Sequence, residues 1–308
     1  MLNITKSNGK VKSLELHLGR GLFASGQHLS GVVMIRLEKP VNIRSISVSL
    51  DGFEKPNKKV LPQASSIKFF HRDVLLSGSA KPKSSMEALS KFWKEFLRRD
   101  MGKVLSPGEH IYPFFISLPS SIPATYSGWA GEIKYPLNVD LNLIMGKKIS
   151  IKTFANIIHT PKTPKHIPIS ASYPKSKGNI LPNPMKVNVE LAKYSAEVGG
   201  VVEGTVYIHN PENIECNSVS VTLDLFEMVR DNIKQNLNSS TTEFVHIEPK
   251  DKRADVIESK FSLKVPSDAQ PSVEGTAISV VWLLKVVVDS EFPQEIKMPI
   301  TVYTTIKD

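Results

Sequence analysis

Apolar and polar residues alternate in short runs along most of the chain, as in Leu14-Glu15-Leu16-His17-Leu18, Val32 to Leu37, Ile46-Ser47-Val48-Ser49-Leu50 and Val187-Asn188-Val189-Glu190-Leu191. A period of two puts every second side chain on one face, and β-branched residues suit a half-buried pleated surface, so these runs predict strands. Turn formers such as Asn8-Gly9 and Ser106-Pro107-Gly108 separate them at the spacing of a β-sandwich rather than of strand–helix–strand units. One segment breaks the pattern. Met86, Leu89, Phe92, Trp93, Phe96 and Leu97 recur at three- and four-residue intervals, while Glu87, Lys91, Lys94, Glu95, Arg98 and Arg99 take the other side. This predicts one short amphipathic helix over Met86 to Arg99, capped by Ser84 or Ser85, its cations toward the C-terminal end and its apolar side packed on a sheet.

The sequence repeats itself. Shifted by 173 residues, Gly26 to Glu54 aligns without a gap to Gly199 to Glu227, and eleven of 29 positions are identical, among them Gly26/Gly199, Gly31/Gly204, Leu50/Leu223, Asp51/Asp224 and Glu54/Glu227. A weaker match at an offset of 147 pairs Leu-Pro-Ser at 118–120 with Val-Pro-Ser at 265–267, then Leu137 with Leu284. Between the copies, Pro161, Pro164, Pro168, Pro174, Pro182 and Pro184 leave little room for ladder hydrogen bonds. The expected organisation is therefore an N-terminal sandwich over 1–163, a Pro-rich connection over 164–184 and a C-terminal sandwich over 185–308. The fold class is all-β.

Composition sharpens this picture. A chain of 308 residues, 41% of them apolar, is long enough for two packed cores. A single cysteine, Cys216, leaves no internal disulfide framework, and Met1 to Lys10 has no apolar leader core. No apolar stretch approaches membrane-spanning length, so the expected location is cytoplasmic. The net charge of +9 is uneven: residues 1–177 carry +16 and residues 178–308 carry −7. That asymmetry points to a basic face in the first half, made for anionic partners.

Catalytic signatures fail on context. Gly19-Arg20-Gly21-Leu22-Phe23-Ala24 has dinucleotide-fingerprint spacing but is followed by another predicted strand, with no helix N-terminus to hold a pyrophosphate. His71-Arg72-Asp73 resembles a kinase catalytic loop, yet Gly78 stands where the metal-binding Asn belongs. No phosphate loop, HExxH or GxSxG occurs, and the histidines lack zinc-ligand spacing. Phe69-Phe70 and Phe92-Trp93 lie at core positions rather than as base-stacking platforms, against nucleic-acid binding. The expectation is a non-enzyme with no cofactor, no metal and no nucleic-acid partner.

Several of these segments, in order, resemble the arrestin superfamily over nearly the whole chain. Gly108-Glu109-His110-Ile111-Tyr112-Pro113-Phe114, then Leu118-Pro119, then Gly131-Glu132-Ile133-Lys134-Tyr135 is similar to the arrestin G-x-H-x-x-P-F, Leu-Pro and G-x-I-x-Y pattern. Asn8-Gly9-Lys10 followed by Leu16 to Phe23 resembles the arrestin N-terminal strand pair, and Phe70 to Val74 before a basic helix matches the arrestin order. The resemblance implies two tandem immunoglobulin-like β-sandwich domains acting as a cytoplasmic adaptor, peripherally recruited to membranes, that links membrane-protein segments to trafficking or signalling machinery. Carried over by position, Lys6, Arg20 and Arg98 or Arg99, with Lys10 a looser match, would engage phosphate groups. Lys55, Lys58 and Lys59, within Glu54 to Ser66, would form a cargo loop. Two alternatives stand beside this: a constitutive coat subunit similar to the arrestin-fold component of retromer, and an anionic-lipid-binding protein using Phe92, Trp93, Lys147, Lys148 and Lys152. The sequence ends at Asp308 and contains no PPxY. The expectation is therefore no regulation by release of a C-terminal tail and no PPxY-mediated ligase recruitment, with cargo and oligomeric state left open.

Overall fold

A computed structural model of the chain describes residues 4–8, 10–78, 103–144, 147–159, 185–231, 234–291 and 293–306. They form strands and turns, with no α-helix among the described residues. The helix expected at 86–99 and the connection expected at 164–184 lie outside them. In chain order the strands of the first half are β1 (Ile4–Asn8), β2 (Val11–Leu18), β3 (Phe23–Ala24), β4 (His28–Leu37), β5 (Val41–Pro56), β6 (Ile67–Gly78), β7 (Lys103–Leu105), β8 (Gly108–Ser117), β9 (Tyr126–Gly128), β10 (Gly131–Leu143), β11 (Lys148–Ala155) and β12 (Ile157–Ile158). The second half follows with β13 (Lys186–Leu191), β14 (Ser195–Glu197), β15 (Val201–His209), β16 (Cys216–Arg230), β17 (Gln235–Ile247), β18 (Val256–Lys264), β19 (Val273–Glu274), β20 (Ile278–Ser290) and β21 (Gln294–Tyr303).

Two compact units result. The first gathers Met1–Glu54, Ser66–Thr125 and Ile133–Ile157; the second gathers Lys55–Ser65, Tyr126–Glu132 and Ile158–Asp308. In the first unit the sheets run β1-β2-β4-β8 and β11-β10-β5-β6, and Leu14, Leu16, Val33, Ile35, Val48, Leu50, Leu137 and Val139 point inward and are fully buried. In the second the sheets run β13-β15-β18 and β14-β21-β20-β16-β17, around Val187, Val206, Val221, Leu223, Phe261, Trp282 and Leu284. The alternation that predicted strands is the alternation of buried and exposed positions, as the pattern of β18 shows at every residue.

The repeat holds in three dimensions. Gly26 and Gly199 each stand two residues ahead of a long strand with φ of 81° and 80°, a left-handed conformation open to glycine at no steric cost. Ser120 and Ser267, themselves paired by the second offset, lie against them. A Cβ on Gly31 would lie 2.8 Å from the ring of Phe114, and one on Gly204 would lie 2.7 Å from the ring of Phe261. Even changed residues keep their roles. Tyr135 donates its hydroxyl to the Pro123 carbonyl and Trp282 donates its indole N–H to the Gln270 carbonyl, each acceptor 12 residues upstream. The backbone N–H of Ile157 donates to Thr125 Oγ1 at 2.8 Å, and that of Val302 donates to Ser272 Oγ at 2.9 Å.

Candidate functional site

The best-built cationic feature is the segment Lys55–Ser65 in the second unit. Asn57 organises it. Its Oδ1 accepts the Lys59 N–H at 3.0 Å, and its carbonyl accepts from Val60 and Leu61 at 3.0 and 2.9 Å, winding the chain through a tight turn. Leu61 and Ala64 are buried and anchor the turn, whereas Lys55, Lys58 and Lys59 are exposed. Among the described residues no carboxylate forms an ion pair with any of these three lysines. Three ammonium groups therefore stand exposed on a loop whose backbone is already ordered by the fold.

A buried carboxylate supports the loop. Glu227, at an inward position of β16 and 8% exposed, accepts the Tyr126 hydroxyl, the Trp129 N–H at 3.1 Å and an Asn238 amide N–H at 3.4 Å. The Tyr126 oxygen in turn accepts the Ala130 N–H at 3.1 Å. Burial, then the Glu227 carboxylate, pushes the Tyr126 phenol well above its ordinary range, so it stays a donor at every physiological pH. The turn thus fixed presents its carbonyls to the loop: Asn57 Nδ2 donates to Trp129 O at 3.0 Å, and the Asn57 N–H donates to Ala130 O at 2.9 Å. Asn236 of β17 adds a bond to Val60 O at 2.6 Å. These bonds explain why Lys55–Ser65 and Tyr126–Glu132 group with the second unit although the sequence organisation placed both in the N-terminal domain. Sequence reasoning missed Glu227 as a hub, although a Glu at an inward position of an apolar strand, shared by both repeats, was a usable signal.

The other expected cations are spread out. Lys6 lies in β1 opposite Leu14, Lys10 sits exposed in the β1–β2 turn, and Arg20 is exposed beyond the far end of β2. The eight-residue β2 separates Lys10 from Arg20, on the order of 25 Å at strand rise. The structure therefore does not bring these two onto one phosphate. Arg98, Arg99, Phe92 and Trp93 lie outside the described residues. Lys147 and Lys148 are exposed at the start of β11, where Lys148 pairs with Asp140 at 2.8 Å. Lys152 lies 5.5 Å from the ring centre of Phe154, which is 49% exposed on the same strand.

His71-Arg72-Asp73 lies within strand β6 rather than in a catalytic loop. His71 sits between two carboxylates, Nδ1 at 2.6 Å from Asp51 Oδ1 and Nε2 at 2.8 Å from Asp73 Oδ2. Lys68 Nζ also reaches Asp51, at 2.6 Å. The hydrogen bond to Asp51 chiefly, and then Asp73, holds the His71 pKa above its ordinary value despite some burial. Burial alone would push Asp51 upward, but hydrogen bonds from Lys68 and His71 outweigh it and hold its carboxyl below the usual range. Among the described residues no group of His, Cys, Asp and Glu is arranged to hold a metal ion, and no helix is long and apolar enough to cross a membrane.

Comparison with known proteins agrees with the motifs read from the sequence. Residues 14–160, just under half of the chain, match the family model described as "Arrestin (or S-antigen), N-terminal domain", which supports a place in the arrestin superfamily for this part of the chain. Three curated relatives are similar over part of the chain. Arrestin domain-containing protein 4 of Mus musculus is 30% identical over 134 residues, 41% of this chain and 30% of its own. Arrestin domain-containing protein 1 of Rattus norvegicus is 26% identical over 136 residues, 44% of this chain and 26% of its own. The HECT-type ubiquitin ligase-interacting protein creD of Emericella nidulans is 25% identical over 171 residues, 54% of this chain and 26% of its own. The match thus spans less than a third of the length of these relatives.

Proposed function

We propose that this protein is a non-catalytic adaptor of arrestin type, whose two sandwiches, an N-terminal domain over 1–163 and a C-terminal one over 185–308, hold acidic or phosphorylated cytoplasmic segments of membrane proteins and pass them to trafficking or signalling machinery. The observation that carries this reading is the lysine loop: Lys55, Lys58 and Lys59 exposed together on a turn fixed by Asn57 and free of ion pairs among the described residues. The arrestin match over 14–160 and the net charge of +16 over residues 1–177 support it. The similarity to creD, a HECT-type ubiquitin ligase-interacting protein, adds a ubiquitin ligase to the kinds of machinery to test, although the sequence contains no PPxY.

Binding of a labelled acidic peptide and of its phosphorylated counterpart, followed by fluorescence anisotropy at low and high salt, tests the reading. Charge recognition at an exposed loop weakens as ionic strength rises, because the Debye length shrinks to about 8 Å near physiological salt. The expected result is salt-sensitive binding that the combined change of Lys55, Lys58 and Lys59 to Glu removes. Binding that survives both salt and charge reversal would sink the proposal.

A further inference from the structure

The outer N–H and C=O groups of a terminal strand template pairing with another chain unless the edge is short, charged or interrupted by proline. Most sheet edges in this molecule carry such a guard. Among the described residues, β1 holds Lys6, β6 holds Lys68 and Arg72, β8 holds Pro113, β11 holds Lys148 and Lys152, β13 holds Lys186, β18 holds Lys260 and Lys264, and β14 is three residues long. β17 differs. Among the described residues it ends its sheet, runs for 13 residues, has no Lys, Arg or Pro, keeps its one carboxylate, Glu243, half-buried on the inner face, and carries Leu237 and Phe244 at 51% and 64% exposure.

The order of side chains along β17 favours one occupant. Leu223 and Asp224 of β16 pair with Glu243 and Thr241, so Thr242 is an extra, bulged residue. With the bulge counted, Gln235, Leu237, Ser239, Thr241, Phe244 and His246 share the outward face, and all six are exposed. Leu237 and Phe244 then stand at equal steps on either side of Ser240. We propose that β17 pairs antiparallel with β17 of a second copy about a two-fold axis at Ser240, joining two chains through one continuous sheet. In this register Leu237 meets the partner's Phe244, Ser239 meets the partner's Thr241 and Gln235 meets the partner's His246, each twice by symmetry. Glu243 is the sole carboxylate of the strand and falls beside the partner's Asn238, so no like charges meet. Met228, opposite Leu237 on β16, extends the apolar row into the sheet.

Sedimentation velocity of the full chain over about 1 to 100 µM tests this, since a symmetric dimer obeys mass action. The expected result is a concentration-dependent dimer whose dissociation constant rises at least ~10-fold in the Leu237→Lys, Phe244→Lys double variant, because two apolar contacts per copy become charged. A second readout does not depend on the stability of that variant. Residues facing each other across an antiparallel ladder lie roughly 4.5–5.5 Å apart at Cα, within disulfide reach. The native Cys216 is fully buried. Ser240→Cys should therefore give a disulfide-linked dimer on mild oxidation, and Lys260→Cys on the guarded β18 edge should not. A chain that stays monomeric throughout, a dimer indifferent to the double variant, or equal linking by both cysteine variants would overturn the proposal.

Discussion

Tyr126→Phe isolates the buried support of the lysine loop. Tyr126 is 1% exposed, and the change removes one oxygen while the ring still fills its site. Two bonds are lost. The hydroxyl no longer donates to Glu227, a hydrogen bond to a charged acceptor worth about 1.5–3 kcal/mol. The Ala130 N–H, in a residue with no exposed surface, loses its acceptor, at a cost of about 1–3 kcal/mol. Glu227 keeps the Trp129 N–H and the Asn238 amide, so its carboxylate is not stripped bare. The sum is about 2.5–6 kcal/mol, a large share of typical domain stability. Urea unfolding gives the total, and a double-mutant cycle with Glu227→Gln isolates the hydroxyl–carboxylate part, expected at about 1 kcal/mol or more. Amide exchange gives the local consequence: the Val60 and Leu61 N–H groups, bonded to Asn57 O, should lose protection. A loss under about 1 kcal/mol, no coupling in the cycle, or unchanged protection at Val60 and Leu61 would refute the hub.

Other outcomes follow from the same geometry. Gly128→Ala would drive a Cβ into the Tyr126 hydroxyl and the Glu227 carboxylate, and should destabilise the chain at least as much as Tyr126→Phe; a neutral effect in thermal unfolding would show the turn is not so confined. Asn57→Ala removes the acceptor for Lys59 N–H and the donor to Trp129 O, and should weaken acidic-peptide binding by loosening a loop that keeps all three lysines; unchanged affinity would detach loop order from binding. His71 has a raised pKa, so its stabilising effect is present below the ordinary histidine value of ~6.5 and is lost as pH rises through the raised value. The wild-type melting temperature should accordingly fall more between about pH 6 and pH 8 than that of His71→Gln, and parallel profiles would contradict the Asp51–His71–Asp73 cluster.

What the sequence disclosed and what it concealed divide along physical lines. Gly26, Gly199, Gly31 and Gly204 were legible because a left-handed φ or a phenyl ring against the backbone leaves no substitute for glycine. Strands were legible because period-two burial is written directly into residue type. Tyr135 and Trp282 were not matched, because donation to a carbonyl constrains the presence of a polar hydrogen and a large ring, and either residue supplies both. The Asp51–His71–Asp73 cluster was hidden for a different reason: its partners lie 20 residues apart, and their meeting depends on the β5–β6 register, which shifts at two places. The same dependence on register governs the cations. The arrestin resemblance puts Lys6, Lys10 and Arg20 in one phosphate-binding set, but β2 extends between the last two and holds them apart. Lys55, Lys58 and Lys59 keep together because Asn57 turns the chain instead of extending it. Whether neighbouring charges act as one site is therefore decided by the backbone between them, which is why the loop, and not the strand pair, is the better place to look for the anionic partner.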